Sequence, residues 1–353
     1  MILKIIPILI AIIVIILTKF IKKRHFFWEK QPVIREKTDM LKVIGLIPKF
    51  KFKYKGKGIV LDKANNIDKV YEFLNKNFNN NYNINYPYFK DSYNQKNSRN
   101  ICIYHKKDII GFIHSEPINI IYNNKVVNFQ YVDYLCVSKN NRGKNCASLL
   151  IAYLLQSFAN KKTVFLFKRE EVGLPFRPLI STNYYYKDLT KCLPKKIENV
   201  WHIVNRRDKI DLIYNYYKKI TSKYKLRTFY SKRKFRDTFV NKKILDLFVI
   251  ENNSNFKTLV IGKKNSYKIN NKIENCFEIE LILGELRYSR DIDRTLSNIL
   301  KNNGYNFYSV ANIAHHGKFI KENKLKKSMK LYYYTYNIAI PDIKLNEFCL
   351  NIN

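Results

Sequence analysis

Residues 126–150 read VVNFQYVDYLCVSKNNRGKNCASLL: a β-rich run breaks into eight polar and basic residues around one glycine, then resumes as an apolar-periodic segment. Val126 to Val137 is the longest β-rich run of the chain. Cys146, Leu149, Leu150, Tyr153, Leu154 and Phe158 then fall at i, i+3, i+4, i+7, i+8 and i+12, one face of a helix. The break is a strand-to-helix turn. Arg142, Gly143, Lys144 and Asn145 place there a glycine where backbone must approach closely, two cations, and the free N–H groups of a new helix. That combination suits a diphosphate, although a solvated basic turn is the plainer reading of R-G-K taken by itself.

Outward from this turn the chain alternates strand-like runs at 100–106, 108–114, 126–137, 163–167, 245–251 and 329–338 with helical patterns at 67–77, 145–159, 207–222 and 290–302. The mixture predicts an α/β (α+β) fold with a largely antiparallel sheet, divided near residues 200–210 into halves of similar size. The 353 residues are 46% hydrophobic and 15% aromatic, enough to bury real cores, so a disordered chain is excluded. A charge of +37, from 65 Lys+Arg against 28 Asp+Glu, points to phosphate-bearing partners or an anionic membrane face. Asn, Lys, Ile and Tyr are all inflated together, as an AT-rich coding sequence produces, so part of that charge is compositional. No helix-turn-helix, zinc or RNP-like motif supports nucleic-acid binding. The six cysteines form no CxxC pair and no zinc spacing, which predicts reduced thiols without a metal site.

The N-terminus differs from the rest. Ile5 to Thr18, IIPILIAIIVIILT, is free of charge, and with Lys4 and Lys19 snorkelling the apolar stretch runs from Met1 to Ile21. Lys19, Lys22, Lys23 and Arg24 follow, with no small-residue cleavage site, so residues 1–24 are read as an uncleaved transmembrane anchor. Positive charge on that side puts the remaining chain in the cytoplasm.

Several stretches match a known pattern in order. YVDYLCVSK (131–139) and NRGKNCAS (141–148) are similar to E-I-N-F-L-C-V-H-K and L-R-S-K-R-x-A-P; FWEKQPV (27–33) to F-W-x-T-Q-P-V; IIGFIHSEPINI (109–120) to L-V-G-F-I-x-x-I-P-x-N-I. RPLISTNYYYKDL (177–189) is similar to K-P-V-x-x-x-R-Y-W-H-R-S-L, and LDLFVIEN and LYYYTYNI to I-D-T-F-V-V-E-N and L-Q-Y-Y-L-Y-N-W. From residue 25 to 353 the chain thus resembles the glycylpeptide N-tetradecanoyltransferase, or protein N-myristoyltransferase, family.

The resemblance implies two acetyltransferase-like (GNAT) halves with pseudo-two-fold symmetry. Residues 25–204 form the acyl-CoA-binding half and residues 205–353 the peptide-binding half, with myristoyl-CoA as a co-substrate rather than a resident cofactor. It implies a monomer that acylates proteins and peptides beginning with glycine. Tyr134 and Leu135 are implied as backbone oxyanion donors. Ser138, Lys139, Arg142, Gly143, Lys144, Asn145, Cys146 and Ala147 are implied to cradle the CoA phosphates, with Phe27 and Trp28 packed along the cofactor; an interfacial belt residue is the other reading of Trp28. The implied base is the C-terminal carboxylate of Asn353, at the end of the apolar, alternating EFCLNIN. An α-amine (pKa roughly 7.8) is a poor donor to an α-carboxylate (roughly 3.5), so the site must bring those values together.

Departures from the pattern matter as much. Asp133 stands where the family has asparagine, and is expected either to share the base role or to trap the ammonium as an ion pair. Phe78 replaces a tyrosine and Arg169 a threonine; both, with Tyr184 and Tyr186, are placed at the peptide site by the resemblance. The family's acidic cluster is NNNYN (79–83), and its K-F-G-x-G-D-G signature has become KLKKSMK (324–330), losing glycines that permit close approach to ligand. A membrane-tethered acyl-CoA or acyl-peptide binder with little turnover is therefore the competing expectation. His315 and His316 read as an exposed loop pair, and His114 and His202 as strand-end residues.

Overall fold

The computed structural model describes residues 26–29, 31–33, 39–47, 59–78, 82–192, 200–202, 205–241, 245–252, 255–269, 272–284, 286 and 289–350. The expected anchor over 1–24 and the expected base Asn353 lie outside the described residues. No helix among those described is long and apolar enough to cross a membrane.

In chain order the first half contains α1 (Phe26–Glu29), β1 (Lys42–Val43), β2 (Ile59–Lys63), α2 (Ile67–Asn77), β3 (Tyr82–Asn83), α3 (Tyr86–Tyr93), β4 (Arg99–His105), β5 (Asp108–Tyr122), β6 (Lys125–Val137), α4 (Cys146–Gln156), β7 (Val164–Glu170) and β8 (Ile180–Asp188). The chain continues with β9 (Val200–His202) and, in the second half, α5 (Ile210–Thr221), β10 (Leu226–Thr228), α6 (Lys232–Arg236), β11 (Asp246–Asn252), β12 (Asn255–Ile269), β13 (Lys272–Gly284) and α7 (Ser289–Asn302). β14 (Phe307–Ala311), α8 (His316–Glu322), β15 (Lys326–Tyr336), β16 (Ile338–Ala339) and β17 (Phe348–Cys349) complete the list. All strands except β1 and β16 join one sheet, in the order β17-β10-β5-β6-β7-β15-β8-β14-β13-β12-β11-β9, with β2 and β4 branching from β5 and β3 pairing β12. β15 belongs to the second half by sequence yet lies between β7 and β8, so the two halves share one continuous backbone ladder.

One unit occurs twice. β5 and β6 form a hairpin, α4 follows, and β7 returns parallel to β6; β12 and β13 form a hairpin, α7 follows, and β14 returns parallel to β13. Each parallel contact is short, Phe129–Val132 against Val164–Phe167 and Cys276–Ile279 against Phe307–Val310, after which the strands part. At that point each hairpin carries a bulge. Phe112 faces Cys136 and His114 faces Asp133, which leaves Tyr134 and Leu135 over a single residue of β5. In the second unit Ile261 faces Leu281 and Gly262 faces Ile279, which leaves Glu280 as the extra residue. A β-carbon on Gly262 would sit 2.5 Å from the Phe277 ring and 2.6 Å from the Glu278 carbonyl oxygen. Gly262→Ala is therefore expected to cost about 2 kcal/mol of stability, read as a lower urea midpoint at unchanged slope.

Helices cover the faces according to their apolar stripes. Leu149, Leu150, Leu154 and Leu155 of α4 pack with Ile103, Ile113, Phe165 and Tyr336, while Ile292, Leu296 and Leu300 of α7 pack with Val260, Ile279 and Tyr308. A third cluster spans both halves, from Tyr131 and Leu166 to Ile261, Leu281 and Phe348. The histidines correct the sequence reading. His114 lies in mid-strand because β5 runs on to Tyr122, and its ring is fully buried between Ser92 Oγ and Asn100 Oδ1, each at 2.7 Å. His316 is not in an exposed loop but buried at the start of α8. Its Nε2 accepts from the Ile282 N–H at 2.9 Å and its Nδ1 pairs with the Ala311 carbonyl at 2.8 Å, so the ring rivets α8 to β13 and β14. All six cysteines are free thiols.

Candidate active site

The strand β6 carries the site because of how it ends. Beyond Val132 it has no partner on the β7 side, and its backbone turns through Tyr134 at φ +52°. A bulky residue in the left-handed region costs roughly 1–2 kcal/mol. Here Tyr134 is held there by burial at 5% exposure and by ring contacts to Phe78 (5.7 Å) and Phe89 (5.2 Å). The Tyr134 N–H donates to Asp133 Oδ1 at 2.7 Å, whereas Leu135 stands 39% exposed at the mouth of the split.

The turn after β6 begins at Ser138 with a short 3-10 stretch over Lys139–Asn141, followed by Gly143 at φ +80° and Asn145 at φ +62°, the N-cap of α4. Glycine makes the first of these left-handed steps without steric penalty. Arg142 does not point freely outward. Its Nε donates to the Val137 carbonyl at 3.1 Å and its Nη2 to the Asn77 carbonyl at 3.0 Å, which pins the turn to the end of β6 and to the end of α2. Lys139 and Lys144 are left exposed beside Gly143, and Cys146 and Ala147 open the first turn of α4, which contains no acidic residue. The first N–H groups of a helix with two ammoniums nearby are chemistry suited to an anion.

Behind the split lies an aromatic wall. Trp28 stacks on Phe167 at 6.2 Å and meets Phe176 at 5.0 Å and Phe27 at 4.9 Å, so it is packed by protein rings. The same stretch is fixed by Gln31, whose Oε1 accepts from the Tyr336 hydroxyl at 2.8 Å.

The other face of β7 is charged. Side chains alternate along a strand, so Lys168 and Glu170 share one face and Arg169 takes the opposite one beside Tyr334. The structure thus brings Lys168, not Arg169, to Asp133. Burial raises the Asp133 carboxyl above its usual range, against the pull of Lys168 and of the Tyr134 N–H. Burial and Glu278 likewise raise Glu170. Taken as whole residues, Asp133 is half-buried and Glu170 exposed, which places the pair at a cleft rather than in a sealed core.

The floor of the cleft comes from the second half and was not foreseen in the sequence. Lys263, from β12, lies 3.0 Å from Glu280 and 3.6 Å from Glu278, and all three are buried. Tyr184 donates to Glu278 Oε1 at 2.8 Å and Asn265 donates to Oε2. Burial pushes the Glu278 carboxyl up, but Lys263, Lys168 and these hydrogen bonds prevail and hold it below the usual carboxylate range. The buried Tyr88 hydroxyl has no hydrogen-bond partner, and Lys263 Nζ lies 5.4 Å from that ring's centre. Tyr186, two residues beyond Tyr184 on β8, faces Ser309 and Lys326 in the ladder. Behind the cleft, Phe348 packs on Tyr333 at 4.8 Å, and Phe348, Cys349 and Leu350 are each buried. In the second unit the matching split between β13 and β14 opens onto a cavity of about 760 Å³ lined by Gly284, Leu286, Asn312, Ala314 and His315, without a basic turn of the R-G-K kind.

A hairpin with a bulge at the parting of two parallel strands, followed by a turn and a helix, is the GNAT-like α/β architecture. The model of the N-terminal domain of myristoyl-CoA:protein N-myristoyltransferase matches residues 35–165. Crystal structures of Saccharomyces cerevisiae N-myristoyltransferase with bound myristoyl-CoA share the fold. One has a TM-score of 0.74 at 16% identity, covering 91% of this chain and 94% of that one; another has a TM-score of 0.77 at 15% identity, covering 92% and 90%. A third, with myristoyl-CoA and inhibitors, has a TM-score of 0.76 at 15% identity over 93% of both chains. No curated protein matches the sequence.

Proposed function

We propose that the protein transfers a myristoyl group from myristoyl-CoA to the N-terminal glycine amine of protein substrates. The observation that carries this reading is the bulged end of β6: a left-handed Tyr134 and an unladdered Leu135 stand directly before a basic turn, with carboxylates in a cleft on one side. Residues 25–204 supply the acyl-CoA site, residues 205–353 the peptide site, and residues 1–24 a membrane anchor that leaves the rest of the chain facing the cytoplasm. The amine nitrogen attacks the thioester carbon, the C–S bond breaks, and the CoA thiolate leaves. The Leu135 N–H, joined by that of Tyr134 once Asp133 releases it, receives the developing oxyanion. The ammonium proton passes to a carboxylate, either that of Asn353 at the chain end or that of Asp133, whose raised pKa narrows the gap to the amine.

Myristoyl-CoA and a pool of glycine-initiated peptides, followed together by thiol release and peptide mass, test the reading. Acylated peptide is the expected result; tight acyl-CoA binding without it would favour the binder, in keeping with the loss of glycines at 324–330. Arg142→Ala, which frees the turn from two carbonyl anchors, is expected to raise the KM for myristoyl-CoA about tenfold, as the loss of about 1.4 kcal/mol of cofactor binding dictates, with little change in kcat.

A further inference from the structure

Residues 39–47 form a strap on the outside of the molecule whose side chains contradict its position. Met40 is 71% exposed, Val43 38%, Ile44 43% and Leu46 56%. Four large apolar side chains face water within seven residues. Elsewhere on the described surface such residues are mostly scattered singly, as at Val60, Val126, Val172 and Leu212. Core packing does not explain the strap's composition, because its backbone does the holding. Ile44 N–H donates to the Asn337 carbonyl at 3.1 Å, Gly45 is bracketed by the Asn337 side chain at 3.1 and 2.8 Å, and Ile47 exchanges hydrogen bonds with Asn160 and Lys161. Ile47 turns inward at 1% exposure; the outward side chains take no part in these hydrogen bonds, which are made by the backbone and by the Asn337 side chain.

The location is informative. Asn337, in the left-handed region at φ +61° and 1% exposed, also donates its N–H to the Pro32 carbonyl at 3.0 Å. The strap and the segment Gln31–Val33 that follows α1 are therefore tied to one residue, which places the strap beside the first described residues of the chain. Exposed Lys42, Lys161 and Lys162 surround the strap, in a chain of net charge +37. Apolar side chains rimmed by lysines are the composition of a surface that rests in a lipid interface, with the ammoniums among anionic headgroups and the apolar groups at the acyl boundary.

We propose that the strap 39–47 docks on the anionic surface of a lipid bilayer, a contact separate from residues 1–24 and independent of the acyl-transfer reading. An environment-sensitive dye at Leu46→Cys in full-length protein carrying Cys192→Ser, the other cysteines being buried, tests it, with the same dye at Leu212→Cys on α5 as the remote control. Vesicles of phosphatidylcholine with phosphatidylserine are expected to reduce acrylamide quenching at position 46 severalfold and to leave position 212 unchanged. Vesicles of phosphatidylcholine alone are expected to protect position 46 much less. Unaltered quenching at position 46 while the protein sediments with the vesicles would mean that only the N-terminal segment touches lipid, and would overturn the proposal. Protection before any vesicle is added would assign the strap to a second copy of the chain, and equal protection by neutral vesicles would remove the anionic headgroup; either result also overturns it.

Discussion

Asp133→Asn is expected to lower kcat about a hundredfold while leaving the KM for myristoyl-CoA little changed. The substitution is nearly isosteric, and an asparagine oxygen still accepts the Tyr134 N–H, so the bulge keeps its geometry. What is lost is a carboxylate at the place where an incoming amine must shed its proton. Burial raises the Asp133 pKa, so kcat in the parent protein should climb with pH through a value above the ordinary aspartate range; in the variant that limb disappears. The sign for folding is opposite to the sign for catalysis. A carboxyl whose folded pKa is raised contributes stability that is fully present below its unfolded pKa of about 3.9 and is lost as pH rises through the folded value. At neutral pH the asparagine variant should therefore be as stable as the parent or slightly more so, which separates a lost proton acceptor from a damaged fold. An increase in kcat would show instead that Asp133 traps the ammonium as an ion pair, and an unchanged rate would leave the base role to Asn353.

The fold and the site differed in how readable they were. Helices with a clean apolar stripe, such as 67–77 and 290–302, and strands such as 126–137 stood close to their final limits because local pattern and burial agree. The hairpin β12–β13 did not. Its lysines and asparagines interrupt the alternation, and Gly262 marks a bulge inside a strand rather than a turn at its end. The strand-to-helix turn with Arg142, Gly143 and Lys144 was legible as a turn, although not the use of Arg142 as its clamp. The charged floor was invisible for a physical reason. FEIELIL at 277–283 alternates charge with apolar residues, the pattern of a solvated sheet face, FLFKRE at 165–170 ends in a charged run like a strand leaving the core, and only the apposition of the two halves covers those charges. Strand parity, which a residue-by-residue resemblance does not register, sends Arg169 away from Asp133 and turns Lys168 toward it.

Lys263→Met should be the most damaging single change in stability, at about 3–5 kcal/mol, because it leaves Glu278 and Glu280 buried without their counter-ion. Methionine fills much the same volume as the lysine stem, so the loss reports charge and not a cavity. The triple variant Lys263→Met, Glu278→Gln, Glu280→Gln should recover most of it, since neutral amides do not carry the desolvation cost of unpaired carboxylates. The pH dependence gives an independent sign. Without Lys263 the effect of burial on Glu278 is opposed by less positive charge and its folded pKa rises, so the stability it contributes shifts toward acid and is lost as pH rises, and the penalty should shrink toward pH 4. Urea unfolding at several pH values measures all three expectations. A single-variant cost under about 1 kcal/mol, flat with pH, would mean that water reaches Glu278 and Glu280 and that the cluster behaves as a surface ion pair. The larger cost would mean that the floor of the cleft is a dry, charge-balanced platform, able to hold Tyr184 and Asn265 in place and to set the field in which an approaching ammonium meets Asp133.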